Sequence, residues 1–129
     1  MTIISTKNAF RILFGLLSVV ILFHLLILVK IIPYEITWGG RLQSDREMYV
    51  FEGISIALNV FLIWMLSLKA KKVKNWFVSF VLWFFCVLFL LNTIGNLFAE
   101  TLLEKSFSVL TLLSALLLLR ILLKNKQAV

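Results

Sequence analysis

Five polar side chains stand inside otherwise apolar stretches of this sequence: His24, Glu52, Asn59, Asn92 and Asn96. Polar groups within a membrane-spanning segment are costly, so they commonly serve a function or hold helices together. Glu52 and Asn59 are seven residues apart, and Asn92 and Asn96 are four apart, so the members of each pair share one face of a helix. We expect these five side chains, the polar cluster, to converge between helices.

Three interpretations fit the polar cluster. In the first, its members hydrogen bond with one another and lock the helices together. In the second, they line an outward-facing pocket that binds or transports a small molecule or a lipid. In the third, Glu52 and His24 form the catalytic acid–base pair of an isomerase-like enzyme with a lipophilic substrate. We favour a non-enzymatic role, either ligand binding or that of an accessory membrane subunit.

The second interpretation predicts a ligand-binding site with contributions from a helix face and from the loop above it. Ser55 lies close to Glu52 and Asn59 on one helix, and the loop brings an aromatic and a cationic side chain to the mouth. The predicted ligand-binding residues are His24, Trp38, Arg41, Glu52, Ser55, Asn59, Asn92 and Asn96.

The same residue types exclude several other chemistries. One His cannot provide bis-histidine haem ligation, and one His with one carboxylate is too few for a catalytic metal site. The sequence contains no GxSxG motif, no P-loop and no Gly-rich nucleotide fingerprint. We therefore expect no metal and no cofactor.

The elements that must position the cluster are four long apolar runs. The chain has 129 residues, 62% of them apolar, which is well above the share of about 45–50% in soluble domains. The runs predict spans at about 10–32, 48–68, 76–99 and 105–123, each near the length of about 20 residues that crosses a bilayer. Their continuous apolar character excludes a β-barrel. The sequence predicts an all-α, polytopic, single-domain four-helix bundle over residues 1–129.

The charges predict the orientation of this bundle. The amino end, the second connection and the carboxyl end carry nine cations and no acid: Lys7, Arg11, Lys69, Lys71, Lys72, Lys74, Arg120, Lys124 and Lys126. The opposite side carries the other four cations and all six acids. By the positive-inside rule, both termini are expected in the cytoplasm. Because the cations flank apolar runs and no recognition motif is present, nucleic-acid binding is not expected.

The connections and helix faces suggest further roles. The first outer loop, from Pro33 to about Glu47, is long, and its Arg41–Glu47 part resembles a short interfacial helix or turn, with Ser44 or Asp45 able to cap the second span. Small residues share a face in each of the last three spans, where they would serve internal packing or a homo-oligomer equally well. These residues are Gly53 and Ala57, then Gly95 and Ala99, then Ser108, Thr111 and Ala115.

Three segments carry a resemblance to a known group. Trp38-Gly39-Gly40-Arg41, the segment Glu47–Glu52 and the segment Asn92–Asn96 together resemble a group of small bacterial four-span integral membrane proteins to which no activity is assigned. This resemblance implies the same topology, a lipid-bilayer environment and the bacterial inner membrane. In general architecture alone, the chain is also loosely similar to sterol-isomerase-type four-span domains, which use acids and aromatic residues in a membrane cavity.

Overall fold

The computed structural model describes residues 4–37, 41–99 and 101–127, with side chains as far as residue 123. Four α-helices follow one another along the chain: α1 (Thr6–Leu28), α2 (Asp45–Ala70), α3 (Trp76–Leu97) and α4 (Leu102–Gln127). All four are long and apolar enough to cross a membrane. The prediction of an all-α, four-helix membrane bundle is therefore confirmed.

Each helix starts at a side chain that accepts a hydrogen bond from a backbone N–H of the first turn. The capping residues of α1 to α4 are Ser5, Ser44, Asn75 and Thr101, at donor–acceptor distances of 2.9–3.2 Å. Lys30 and Lys72, just beyond α1 and α2, have φ angles of 64° and 61° in the left-handed region, which stops a helix. This stop explains why α1 ends at residue 28 instead of the predicted 32, whereas its start at residue 6 instead of 10 follows from the Ser5 cap.

The α1–α2 loop, residues 29–44, is tied down at several points. It contains a 3₁₀ turn, Tyr34–Ile36. The short helix or turn expected at Arg41–Glu47 does not form separately, because residues 41–44 are not helical and Asp45 already begins α2. The buried Leu42 packs in a small apolar cluster with Ile27 and Met48. The Thr101 hydroxyl donates a hydrogen bond to the Ile36 carbonyl oxygen at 3.3 Å, which joins the loop to the start of α4.

The helices form a ring in which each packs against its neighbours in sequence and α1 also packs against α4. The α3–α4 seam is the most extensive and the α2–α3 seam the least. We call the end with the α1–α2 loop the loop end. The opposite end, with Ile4 and the α2–α3 connection at residues 71–75, is the Lys end.

Most of the apolar core lies in the half of the bundle nearer the Lys end. Its buried residues come from all four helices: Ala9, Leu13, Leu17, Leu62, Met65, Leu66, Val78, Val81, Leu82, Phe85, Cys86, Ala115, Leu117, Leu118, Ile121 and Leu122. The Arg120 Nε also donates a hydrogen bond to the Ile4 carbonyl oxygen at 2.9 Å, so α4 holds the chain ahead of α1. This half of the bundle is closely packed.

The small residues of the last three spans behave differently from one another. On α4, Ser108, Thr111 and Ala115 are buried, as the shared face predicts. On α2 and α3, Gly53 and Gly95 are exposed, and a Cβ atom added at either would meet nothing within 4 Å. Within this chain, these two glycines therefore do not bring helices into close contact.

Candidate functional site

A cleft of about 1210 Å³ lies between the helices in the half of the bundle nearer the loop end. It is larger than most small-molecule pockets, which measure about 300–1,000 Å³. All four helices and the α1–α2 loop contribute to its wall. Its polar lining residues are His24, Thr37, Arg41, Glu47, Ser55, Asn59, Asn92, Asn96, Glu104 and Thr111. The chain is thus solid towards the Lys end and hollow towards the loop end.

His24 and Glu52 join α1 to α2 at the wall of this cleft. The His24 Nδ1 lies 2.5 Å from a Glu52 carboxylate oxygen. The Glu52 side chain is fully buried, whereas the His24 side chain is 16% exposed and lines the cleft. When the Nδ1–H of a neutral imidazole donates a hydrogen bond to this carboxylate, the ring is fixed in orientation and its Nε2 carries a lone pair. Glu52 therefore acts on the cleft through His24 and is not itself part of the lining.

The three asparagines of the polar cluster do not lock the helices to one another. The Asn59 side-chain nitrogen donates to the Ser55 carbonyl oxygen of its own helix at 2.8 Å. Among the described residues, the side chains of Asn92 and Asn96 take part in no hydrogen bond, although both line the cleft. An amide left without a partner in a membrane interior is costly unless water or a ligand reaches it. The cleft therefore presents two amides whose hydrogen-bonding groups are available to water or to a ligand.

Charged groups stand near the loop end of the cleft. Arg41 and Glu47 are exposed, and a Glu47 carboxylate oxygen accepts a hydrogen bond from the Gln43 backbone N–H at 3.0 Å. Glu104, in the first turn of α4, lines the same space but is only 6% exposed. Within the described part of the chain, the lining thus carries one permanent cation and two acids, with His24 as the remaining titratable group.

The α1–α2 loop also holds an ion pair outside the spans. The Lys30 ammonium lies 2.5 Å from an Asp45 carboxylate oxygen. This hydrogen bond, together with the negative charge of Asp45, raises the pKa of Lys30. Burial raises the pKa of the nearby Tyr34 hydroxyl, and the charges of Asp45 and Glu35 act in the same direction. At neutral pH, Lys30 is therefore charged and Tyr34 is neutral.

The structure brings most of the predicted ligand-binding residues to one place. His24, Arg41, Ser55, Asn59, Asn92 and Asn96 line the cleft, Glu52 lies behind His24, and Trp38 falls outside the described residues. Sequence reasoning missed Thr37, Glu47, Glu104 and Thr111 as lining residues. Glu104, Phe107 and Thr111 recur at helical spacing on one face of α4, which was the available signal.

Neither a metal site nor a known relative indicates what the cleft holds. Among the described residues, no three or more His, Cys, Asp or Glu side chains come together as a metal site. The chain matches no family model, no curated protein and no solved structure at a significant level. Its function is therefore inferred from the geometry of the cleft.

Proposed function

We propose that this membrane protein binds a small amphipathic molecule, in transit or as a resident ligand, within the cleft. The observation that carries this proposal is the pair of unpartnered amides, Asn92 and Asn96, in a large cleft with apolar walls. A few fixed polar groups within a mainly apolar wall are typical of ligand pockets. Asn59 and the exposed face of His24 add two further hydrogen-bonding groups on the opposite helices.

We further propose an orientation for this site. The nine cations at the Lys end favour the cytoplasmic side for that end. The loop end and its cleft would then face the outer leaflet of a bacterial inner membrane. Reaction of single cysteines with a membrane-impermeant thiol reagent tests this, because a cysteine replacing Gln43 should be labelled in intact cells and one replacing Lys71 should not.

Ligand retention tests the proposed function directly. We expect native mass spectrometry of the gently purified protein to find an additional bound mass on the wild type. Replacing both Asn92 and Asn96 with Leu should weaken its binding by about thirtyfold, because two lost hydrogen bonds of about 1 kcal/mol each amount to about 2 kcal/mol.

Asn8→Leu is the matched control, because the Asn8 side chain lies far along α1 from the cleft and only its backbone N–H meets the Ser5 cap. The control should keep the ligand. An empty wild type would overturn the proposal, and a protein partner in its place would favour the accessory-subunit role.

The His24–Glu52 pair favours one second candidate, an acid–base enzyme. Because Glu52 can hold the Nδ1 proton, Nε2 could remove a proton from an activated C–H of a lipophilic substrate and return it at another carbon. This is an isomerisation and needs no cofactor.

Exchange with solvent deuterium tests the second candidate. If the protein is an enzyme, the extracted ligand should gain carbon-bound deuterium after incubation with wild-type protein in heavy water. The Glu52→Gln variant should remain folded and lose most of this exchange. Absence of exchange with the wild type would exclude this chemistry and leave binding as the function.

A further inference from the structure

We propose that the ligand is an uncharged, hydroxyl-bearing lipid that enters the cleft sideways from the bilayer, between the loop-end halves of α2 and α3. This inference rests on the proposed function and names both the ligand class and its route.

Three of the four helix seams are bonded at the level of the cleft. The α1–α2 seam has the His24–Glu52 contact, and the Thr93 and Thr111 hydroxyls hydrogen bond across the α3–α4 seam at 2.8 Å. The rings of Phe23 and Phe107 meet edge to face across the α1–α4 seam, with centroids 4.7 Å apart. These seams resist separation.

The α2–α3 seam is different. Its described bonds lie towards the Lys end, where the Lys69 ammonium donates to the Ser79 hydroxyl at 2.8 Å and the rings of Phe61 and Phe85 lie 6.4 Å apart. Beyond Phe85, no hydrogen bond, ion pair or ring contact joins α2 to α3 among the described residues. The cleft occupies this part of the seam.

Exposure of the lining residues marks the same side as the opening. Among the described residues, five large apolar side chains line the cleft and are also exposed. They are Phe51 and Leu58 on α2, Leu91 on α3, Phe98 just after α3, and Val19 on α1. Over the loop end, the described part of the α1–α2 loop packs against α1 through Leu42 and reaches α4 through the Thr101–Ile36 hydrogen bond. The open route therefore leads into the bilayer, where these apolar side chains suit an alkyl chain.

The hydrogen-bonding groups define the head of the ligand. In the neutral imidazole whose Nδ1–H donates to Glu52, the His24 Nε2 is an acceptor, which a hydrogen-bond donor on the ligand would complement. The amides of Asn92 and Asn96 both donate and accept, which suits a hydroxyl group. Among the described lining residues, Arg41 is the one permanent cation, and it is exposed and accompanied by Glu47 and Glu104, so this part of the lining offers no buried positive charge for a phosphate. An uncharged hydroxyl head is the complementary choice.

The test uses the full-length protein in phosphatidylcholine nanodiscs with octadecanol that carries a mid-chain photoreactive diazirine. The measured quantity is the cross-linked adduct that excess unlabelled octadecanol removes. We expect this adduct on the wild type, at the cleft-facing residues of α2 and α3. The methyl ether of the same probe should give about fivefold less, because it cannot donate to Nε2.

Two glycine variants test the route. A Gly95→Phe ring would occupy the cleft at the open seam, and we expect it to lower the adduct by about fivefold or more. Gly53→Phe is the matched control: this glycine is equally unobstructed and exposed but does not line the cleft, so the adduct should persist. If the Gly95→Phe protein misfolds, the route is still tested by the position of the adduct on the wild type, which should lie on α2 and α3.

The outcomes separate the two proposals. Equal adduct with Gly95→Phe and wild type, or adduct mapped away from α2 and α3, would overturn the lateral route. Equal labelling by the methyl ether would overturn the hydroxyl head. A wild type that retains its native ligand but forms no competed adduct would also overturn the lipid alcohol class while leaving ligand binding intact. A wild type that retains nothing and forms no adduct would overturn both proposals.

Discussion

Replacing His24 with Leu should lower the free energy of unfolding by about 3 kcal/mol, because removing one partner of a buried ionisable pair is strongly destabilising. Glu52 is fully buried, so water cannot take the place of the imidazole. Equilibrium unfolding in mixed detergent micelles measures the change. Leu25→Ala, one residue along α1 at an exposed position, should change the stability little and serves as the control.

A double substitution separates the pair from its surroundings. Replacing His24 and Glu52 together with Leu should recover much of the loss, because replacing both partners of a buried hydrogen bond with apolar groups can be nearly neutral. The double-mutant cycle then gives their coupling energy. If the double variant were as unstable as the sum of the two single variants, His24 and Glu52 would not stabilise each other.

Replacing Leu118 with Ala should cost about 2 kcal/mol. Leu118 is fully buried in the core near the Lys end, and truncation there leaves a cavity. Comparable changes in soluble cores cost about 2–5 kcal/mol, and the lower value is expected because lipid and protein interiors are similarly apolar. Unfolding in mixed micelles gives the difference from wild type.

Leu116→Ala provides the matched control for Leu118→Ala. Leu116 lies two residues away on α4 but is 51% exposed, so its truncation should change stability by less than about 0.5 kcal/mol. Equal losses from the two substitutions would mean that Leu118 does not pack in a buried core at the Lys end. A large difference would show that burial of Leu118 there stabilises the fold.

The four spans could be predicted because hydropathy and length alone define them. Long apolar runs bounded by Lys30, Pro33 and the Lys69–Lys74 cations leave little choice of helix position. Only the ends shifted, since α1 stops at the left-handed Lys30 and α4 begins at the Thr101 cap. These are local backbone effects that hydropathy does not record.

The composition of the cleft could be predicted only in part, because helical spacing places residues on a face but does not fix the rotation of that face. His24, Asn59, Asn92 and Asn96 were expected to meet, and they line one space. The rotation of α2 instead puts Glu52 behind His24, and that of α4 turns Glu104 inward. The rotation of each helix about its axis is set by packing between helices, which the sequence pattern does not specify.

The packed core near the Lys end and the cleft near the loop end are separate, which affects how the sequence of such a chain can diverge during evolution. Side chains that support the fold, such as Leu118 and Leu82, lie apart from those that would contact a ligand, such as Asn92 and Leu91. Substitutions in the cleft could therefore accumulate during evolution without crossing the stability threshold that removes most new variants. The same scaffold could then change its ligand by drift in one half while selection preserves the other.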